Sequence, residues 1–181
     1  MKKDKKVHVL HNFLDIEKFL KKNQLGKKHE IINSKKFAVA MVGGISPWKN
    51  QLDFIKVAKK ILDSRRDVCF YIFGNIISKN YYELLKNEKK KHTLKNQIIF
   101  GGFINDIPKL LSSIDIILHT TKVESFGRIL IESNALCVPV VAYNSGAIPE
   151  IIKDGKNGFL VDIDKFSAIL GRHKIALNQA Y

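Results

Sequence analysis

Apolar residues come in short runs that alternate with segments of helical spacing. The run KFAVAMVGG (36–44) is apolar on successive residues and ends in a glycine pair. After ISPWK comes NQLDFIKVAKKILD, in which Leu52, Ile55, Ala58 and Leu62 recur at the intervals of one helix face. Strand, loop and helix follow in that order. The pattern repeats in VCFYIFG (68–74) with SKNYYELLKNEKK, QIIFGGF (97–103) with NDIPKLLSSI, DIILHTT (115–121) with GRILIESNALC, and PVVAY (139–143) with AIPEII, before a last run GFLVD (158–162). Runs apolar on both faces are what a parallel sheet covered on each side demands, and right-handed crossovers line its strand ends along one edge. The expected fold is therefore α/β, a doubly wound, Rossmann-like parallel sheet of about six strands. Such sheets bind ligands beyond the carboxyl ends of the strands, so the loops that leave those ends are where chemistry is to be sought.

At 181 residues the chain is long enough for one full domain with appendages. An apolar share of 45% and a charged share of 27% are those of an ordinary globular protein, and no apolar run approaches the roughly 18 residues of a membrane helix. The opening MKKDKKVHVLHNFLDIEKF is basic but lacks the apolar core and cleavage site of a signal peptide, so a cytoplasmic protein is expected. Cys69 and Cys137 lie far apart in apolar segments, which fits buried thiols in a reducing compartment. The net charge of +14 is concentrated early, residues 1–36 holding 11 lysines against four acids. Such a face attracts anionic membrane surfaces, nucleic acid or phosphorylated ligands without choosing among them, and solvated lysines account for most of it.

Dinucleotide, P-loop, zincin and α/β-hydrolase signatures are all absent, and the six histidines form no metal-ligand spacing. His119, at a strand end, could approach a site but is read as a structural histidine. In the loop after the first strand, GGISPWKN places Lys49 just before a helix, where a lysine and orphan N–H donors together suit a diphosphate, although an ordinary surface lysine explains it as well. After the fourth strand, ESFGR offers Ser125 as a cap, N–H groups around Phe126 and Gly127, and the carboxylate of Glu124 for ligand hydroxyls. Glu132 sits eight residues on among Ile129, Leu130, Ile131, Ala135 and Leu136. A carboxylate there costs roughly 1–3 kcal/mol unless something hydrogen-bonds it, so a structural donor or a ligand must answer it.

The stretch ESFGRILIESNALCVPVVAYNSGAIPEIIKDGKNGFLV resembles the signature of the retaining GT-B glycosyltransferases of group 1 (family 4), with Glu124 and Glu132 as its E-x7-E pair. The similarity extends back through SSIDIILHTTKVE, IIFGGFINDIPKLL and VGGISPWKNQLDFIKVAKKI, covering roughly residues 36–162. The resemblance implies a nucleotide-sugar donor, no metal cofactor, and a role for each matching residue. Lys49 would contact the diphosphate, the backbone of Ser125, Phe126 and Gly127 would hold phosphate and sugar, Glu124 the sugar hydroxyls and Glu132 the ribose. Ile104 would lie near the base, and Gly74 would let the donor approach. Lys49 and Glu124 would carry the catalytic work. Two departures stand out. Gly44 replaces the family's usual arginine five positions before the lysine, and Thr120-Thr121 replace Pro-Ser.

HVLHNFLDIEKF resembles the family's interdomain connection, with Phe13 at its usual glycine. Residues 1–35 are accordingly read as that connection with a remnant of an amino-terminal domain, and 36–181 as the carboxyl-terminal, nucleotide-sugar-binding domain, in which FSAILGRHKIALNQAY starts a helix. The acceptor domain would come from elsewhere or from a partner chain, so the chain is expected to be inactive alone. The implied product is a surface polysaccharide or glycolipid, made by a cytoplasmic protein resting on an anionic inner membrane face. A non-catalytic or split-subunit interaction module is the alternative. A nucleic-acid binder ranks third, since no reader motif accompanies the basic charge.

Overall fold

The computed structural model describes residues 12–21, 29–33, 35–92, 94 and 97–163. The amino-terminal lysines at 2–6 and the helix expected in 166–181 lie outside them. Six strands form one parallel sheet: β1 (Phe37–Val42), β2 (Val68–Phe73), β3 (Ile98–Gly102), β4 (Ile116–His119), β5 (Val140–Tyr143) and β6 (Phe159–Val161). Their spatial order is β3-β2-β1-β4-β5-β6, every pairing parallel. The helices are α1 (Ile16–Lys21), α2 (Gln51–Leu62), α3 (Lys79–Lys91), α4 (Ile107–Leu111), α5 (Arg128–Ala135) and α6 (Ile148–Ile151).

Strand residues alternate between two cores, as the two-residue repeat of a pleated strand requires. Val39, Met41, Phe70 and Ile72 pack with α2 and with Leu85 of α3 on one face. Ala38, Ala40, Tyr71 and Phe73 pack with α4, α5 and α6 on the other. Phe19 of α1 and Ile32 join the second core, and Asn33 N–H donates to the Tyr71 hydroxyl at 2.9 Å. The described part of the amino-terminal segment is thus packed onto the sheet.

The strands are shorter than the apolar runs. β1 stops at Val42 because Gly43 leaves the sheet, and edge strand β3 fully buries only Ile98. Cys69 is a core thiol as expected, but Cys137 is exposed. It follows α5 with φ of 56°, turning the chain toward β5, and a residue in that reversal cannot also face the core.

The chain crosses from β3 back to β4, which pairs with β1 through Val39–Ile116 and Ala40–Ile117. The strand order reverses between these two, so the loops leaving their carboxyl ends meet over one crevice.

Candidate functional site

Between β1 and α2, Pro47–Lys49 form a single 3-10 turn. Asn50 ends it in the left-handed region, φ 56°, and its Nδ2 donates to Asp53 Oδ2 at 2.6 Å. The Tyr143 hydroxyl donates to the same oxygen at 2.9 Å, tying the start of α2 to β5. Gln51 Nε2 reaches back to the Gly44 carbonyl at 3.0 Å. Two further bonds cross to the β4–α5 loop: Thr120 Oγ1 donates to the Asn50 carbonyl at 3.0 Å and Lys122 N–H to the Trp48 carbonyl at 3.1 Å. Thr120 therefore does what the family's proline could not, since proline has no side-chain donor.

The pinned loops hold Lys49 Nζ 2.6 Å from Glu124 Oε2. His119 Nε2 lies 3.1 Å from the same oxygen. The other oxygen accepts the Gly127 N–H at 3.0 Å and, more loosely, the Phe126 N–H at 3.4 Å. Burial alone would push the Glu124 carboxyl up, but hydrogen bonds from His119 and Lys49, with the Lys49 charge, outweigh it and hold the group well below the usual carboxylate range. His119 is fully buried, and desolvation lowers its pKa against the opposing pull of Glu124. An ionised carboxylate only accepts, so the neutral imidazole carries its hydrogen on Nε2. Its Nδ1 has no partner among the described residues, nor has the buried Thr121 Oγ1. Behind the cluster, Ala147 N–H donates to the Glu124 carbonyl at 2.9 Å, and a Cβ on Gly146 would stand 2.2 Å from that oxygen. Only glycine lets the β5–α6 turn approach so closely.

Glu132 is 4% exposed on α5, and its donor is Arg128, whose Nε lies 3.0 Å from Oε1 one helical turn away. Burial raises the Glu132 pKa and Arg128 opposes the rise. Beside this pair lies a cavity of about 420 Å³ walled by Gly43, Gly44, Gly74, Phe103, Ile104 and Arg128. Lys49 adjoins it, for its Cδ and Cε lie 3.8 Å from where a Gly43 Cβ would be. Gly74 has φ of 142° and meets the Gly43 carbonyl, 2.1 Å from where its Cβ would stand, so its immediate neighbour is protein backbone.

The structure thus brings Lys49 together with Glu124, and gathers Gly44, Gly74 and Ile104 around one cavity. Ser125 and Phe126 line a separate hollow with Ala147, Glu150 and Ile151, while the Phe126 and Gly127 N–H groups are taken up by Glu124. His119, read from its strand-end position as structural, belongs to the charged cluster. Arg128 was missed as the partner of Glu132, although a residue four positions before a helical glutamate shares its face and could have signalled it.

A family model described as group 1 glycosyl transferases matches residues 22–178. The chain belongs to this family. Among curated group 1 relatives, the Escherichia coli UDP-Gal:alpha-D-GlcNAc-diphosphoundecaprenol alpha-1,3-galactosyltransferase is 30% identical over 175 residues, covering 92% of this chain and 45% of that enzyme. Among solved structures, Anabaena HepE in complex with UDP and glucose superposes with a TM-score of 0.75 at 27% identity, over 81% of this chain and 40% of HepE. The carboxyl-terminal domain of the Francisella tularensis group 1 protein LpcC gives 0.71 at 29% identity, over 78% of this chain and 75% of that one. The sheet is thus the Rossmann-like one of the family's carboxyl-terminal domains, and this group 1 chain spans less than half the length of the E. coli relative.

Proposed function

We propose that this group 1 chain is the donor half of a retaining GT-B glycosyltransferase, holding a nucleotide diphosphate sugar whose hexosyl group passes to a glycan or glycolipid. The observation that carries the reading is the half-buried Lys49–Glu124 pair beside a glycine-walled cavity at the switch point of the sheet. In this reading the base rests near Ile104, Glu132 takes the ribose hydroxyls, Lys49 meets the diphosphate and Glu124 the transferred sugar. As the anomeric bond breaks, charge grows on the leaving diphosphate, and Lys49 with the amino-terminal end of α5 stabilises it without a metal ion. The acceptor hydroxyl then attacks from the face the diphosphate leaves. UDP in the HepE complex supports a nucleotide at this site.

The acceptor-binding half would be supplied outside these 181 residues or by a partner chain, and without it no sugar is transferred, since positioning supplies much of the rate. The E. coli relative is named for an acceptor linked to diphosphoundecaprenol, which supports a lipid-linked acceptor and a cytoplasmic protein at the inner membrane face. No described helix is long and apolar enough to cross a membrane. A second reading, a non-catalytic or split-subunit module, is favoured by Gly44 standing where the family carries a cation.

Thermal shifts with UDP, GDP, ADP and their sugars test the proposal. Stabilisation by one nucleotide series names the donor, and no shift with any of them refutes the donor site. Lys49→Ala is expected to weaken nucleoside diphosphate binding by about 1.5–3 kcal/mol while leaving the nucleoside nearly untouched, with a smaller loss at high salt. Equal diphosphate affinity in calorimetry would return Lys49 to a purely structural partner of Glu124.

A further inference from the structure

Gly44 leaves the donor cavity without a cation at that position, and the space a side chain would need is filled, since a Cβ on Gly44 would stand 2.8 Å from Ile77 Cγ1. The same cavity holds a different cation. Arg128, the first residue of α5, lines it with a side chain that is 66% exposed. It is held to Glu132 through Nε, which leaves the terminal N–H donors of the guanidinium for another acceptor. Its position is also electrostatically costly. The first turn of α5 contains no acid, and a cation at the positive end of a helix dipole is disfavoured until an anion arrives.

We infer that Arg128 replaces the missing arginine by exchanging partners. When ribose hydroxyls take up Glu132, the guanidinium leaves that carboxylate and pairs with the diphosphate, together with Lys49. Hydroxyls satisfy the buried Glu132 as donors, and the arginine trades one carboxylate for a diphosphate that its planar fork can grip by two parallel bonds. Arg128 is then a latch on the empty ribose site and half of the cationic clamp on the filled one. The inference rests on the donor-site reading above.

The test is calorimetric titration of the 181-residue chain and its variants with uridine and UDP, or with the nucleotide pair that the thermal panel selects. Arg128→Ala is expected to weaken UDP about 10- to 100-fold, the range of a charge-assisted bond, while uridine binds equally well or more tightly because Glu132 is unlatched. Arg128→Lys should fall between, keeping charge but not the fork. Adding Gly44→Arg with Ile77→Ala to the Arg128→Ala chain should recover much of the UDP affinity. Melting curves confirm that each variant is folded. Unchanged UDP affinity in Arg128→Ala overturns the inference, as does an equal loss on uridine and UDP, which would mean that Arg128 only arranges Glu132. A wild-type chain that binds none of UDP, GDP or ADP brings down the donor site itself, a failure separable from these two.

Discussion

Glu124→Ala is expected to cost about 2–4 kcal/mol of folding stability, the penalty for leaving a buried imidazole and two backbone N–H groups without their acceptor. The carboxylate gathers the Lys49 ammonium, the His119 imidazole and two backbone N–H groups around one 8% exposed side chain. Removing it strands a charge 23% exposed, a fully buried ring and two orphaned donors together. Glu124→Gln keeps the volume but turns an acceptor oxygen into a donor facing Lys49 or His119, so it should recover only part of the loss. The pH dependence has a definite sign. The folded pKa of Glu124 is depressed below its ordinary 4.5, so its stabilisation is complete above that value and is lost as pH falls toward the folded one. Glu132, whose pKa is raised by burial, acts in the opposite sense, since its folded form favours the proton. Denaturant titrations between pH 3 and 7 should therefore show a steeper acid loss in the wild type than in Glu124→Ala. Parallel curves would mean that the folded chain stabilises the ionised carboxylate no better than water does in the unfolded one.

Gly74→Ala is expected to cost more than about 4 kcal/mol, in the range that marks a specific steric failure. The new methyl would stand 2.1 Å from the Gly43 carbonyl oxygen and 3.1 Å from Gly44 N, and φ of 142° is itself strained for alanine. Neither neighbour is a side chain that can rotate away. Gly43 N–H donates to the Phe73 carbonyl at 2.8 Å and Gly74 N–H to the Gly102 carbonyl at 2.8 Å, so separating the strand exits breaks the sheet where the cavity begins. A domain of this size should lose roughly 10–15 °C in Tm. A loss under about 3 °C would mean that the β1 and β2 exits do not cross as tightly as described.

The alternation of strands and helices was legible because the inner strands are buried on both faces and each connection returns to the same edge. All six strands lie within the apolar runs. Their exact ends were not legible, since β1 ends at Val42 although the Gly43 N–H still donates to the Phe73 carbonyl, and no local pattern announces that end. Lys49 and Glu124 could each be singled out from sequence, but their contact could not, because 75 residues separate them and only the adjacency of β1 and β4 closes the gap. For the same reason the protein donors gathered around Glu124 were not legible. The donor to Glu132 was left open between protein and ligand, although the four-residue spacing to Arg128 carried the signal. Gly44 was noted as a lost cation, but its crowding by Ile77 depends on how the β1 and β2 exits stack.

The turn that delivers Lys49 also carries Trp48, the one tryptophan of the chain, 55% exposed and bound through its carbonyl to Lys122 of the opposing loop. Excited at 295 nm, the protein therefore has a single emitter, adjacent in sequence to the residue proposed to meet the diphosphate and linked to both loops of the crevice. Any rearrangement there should change its intensity or its emission maximum. Occupancy of the site can then be followed in solution by intrinsic fluorescence, without a label, an assay substrate or knowledge of the acceptor.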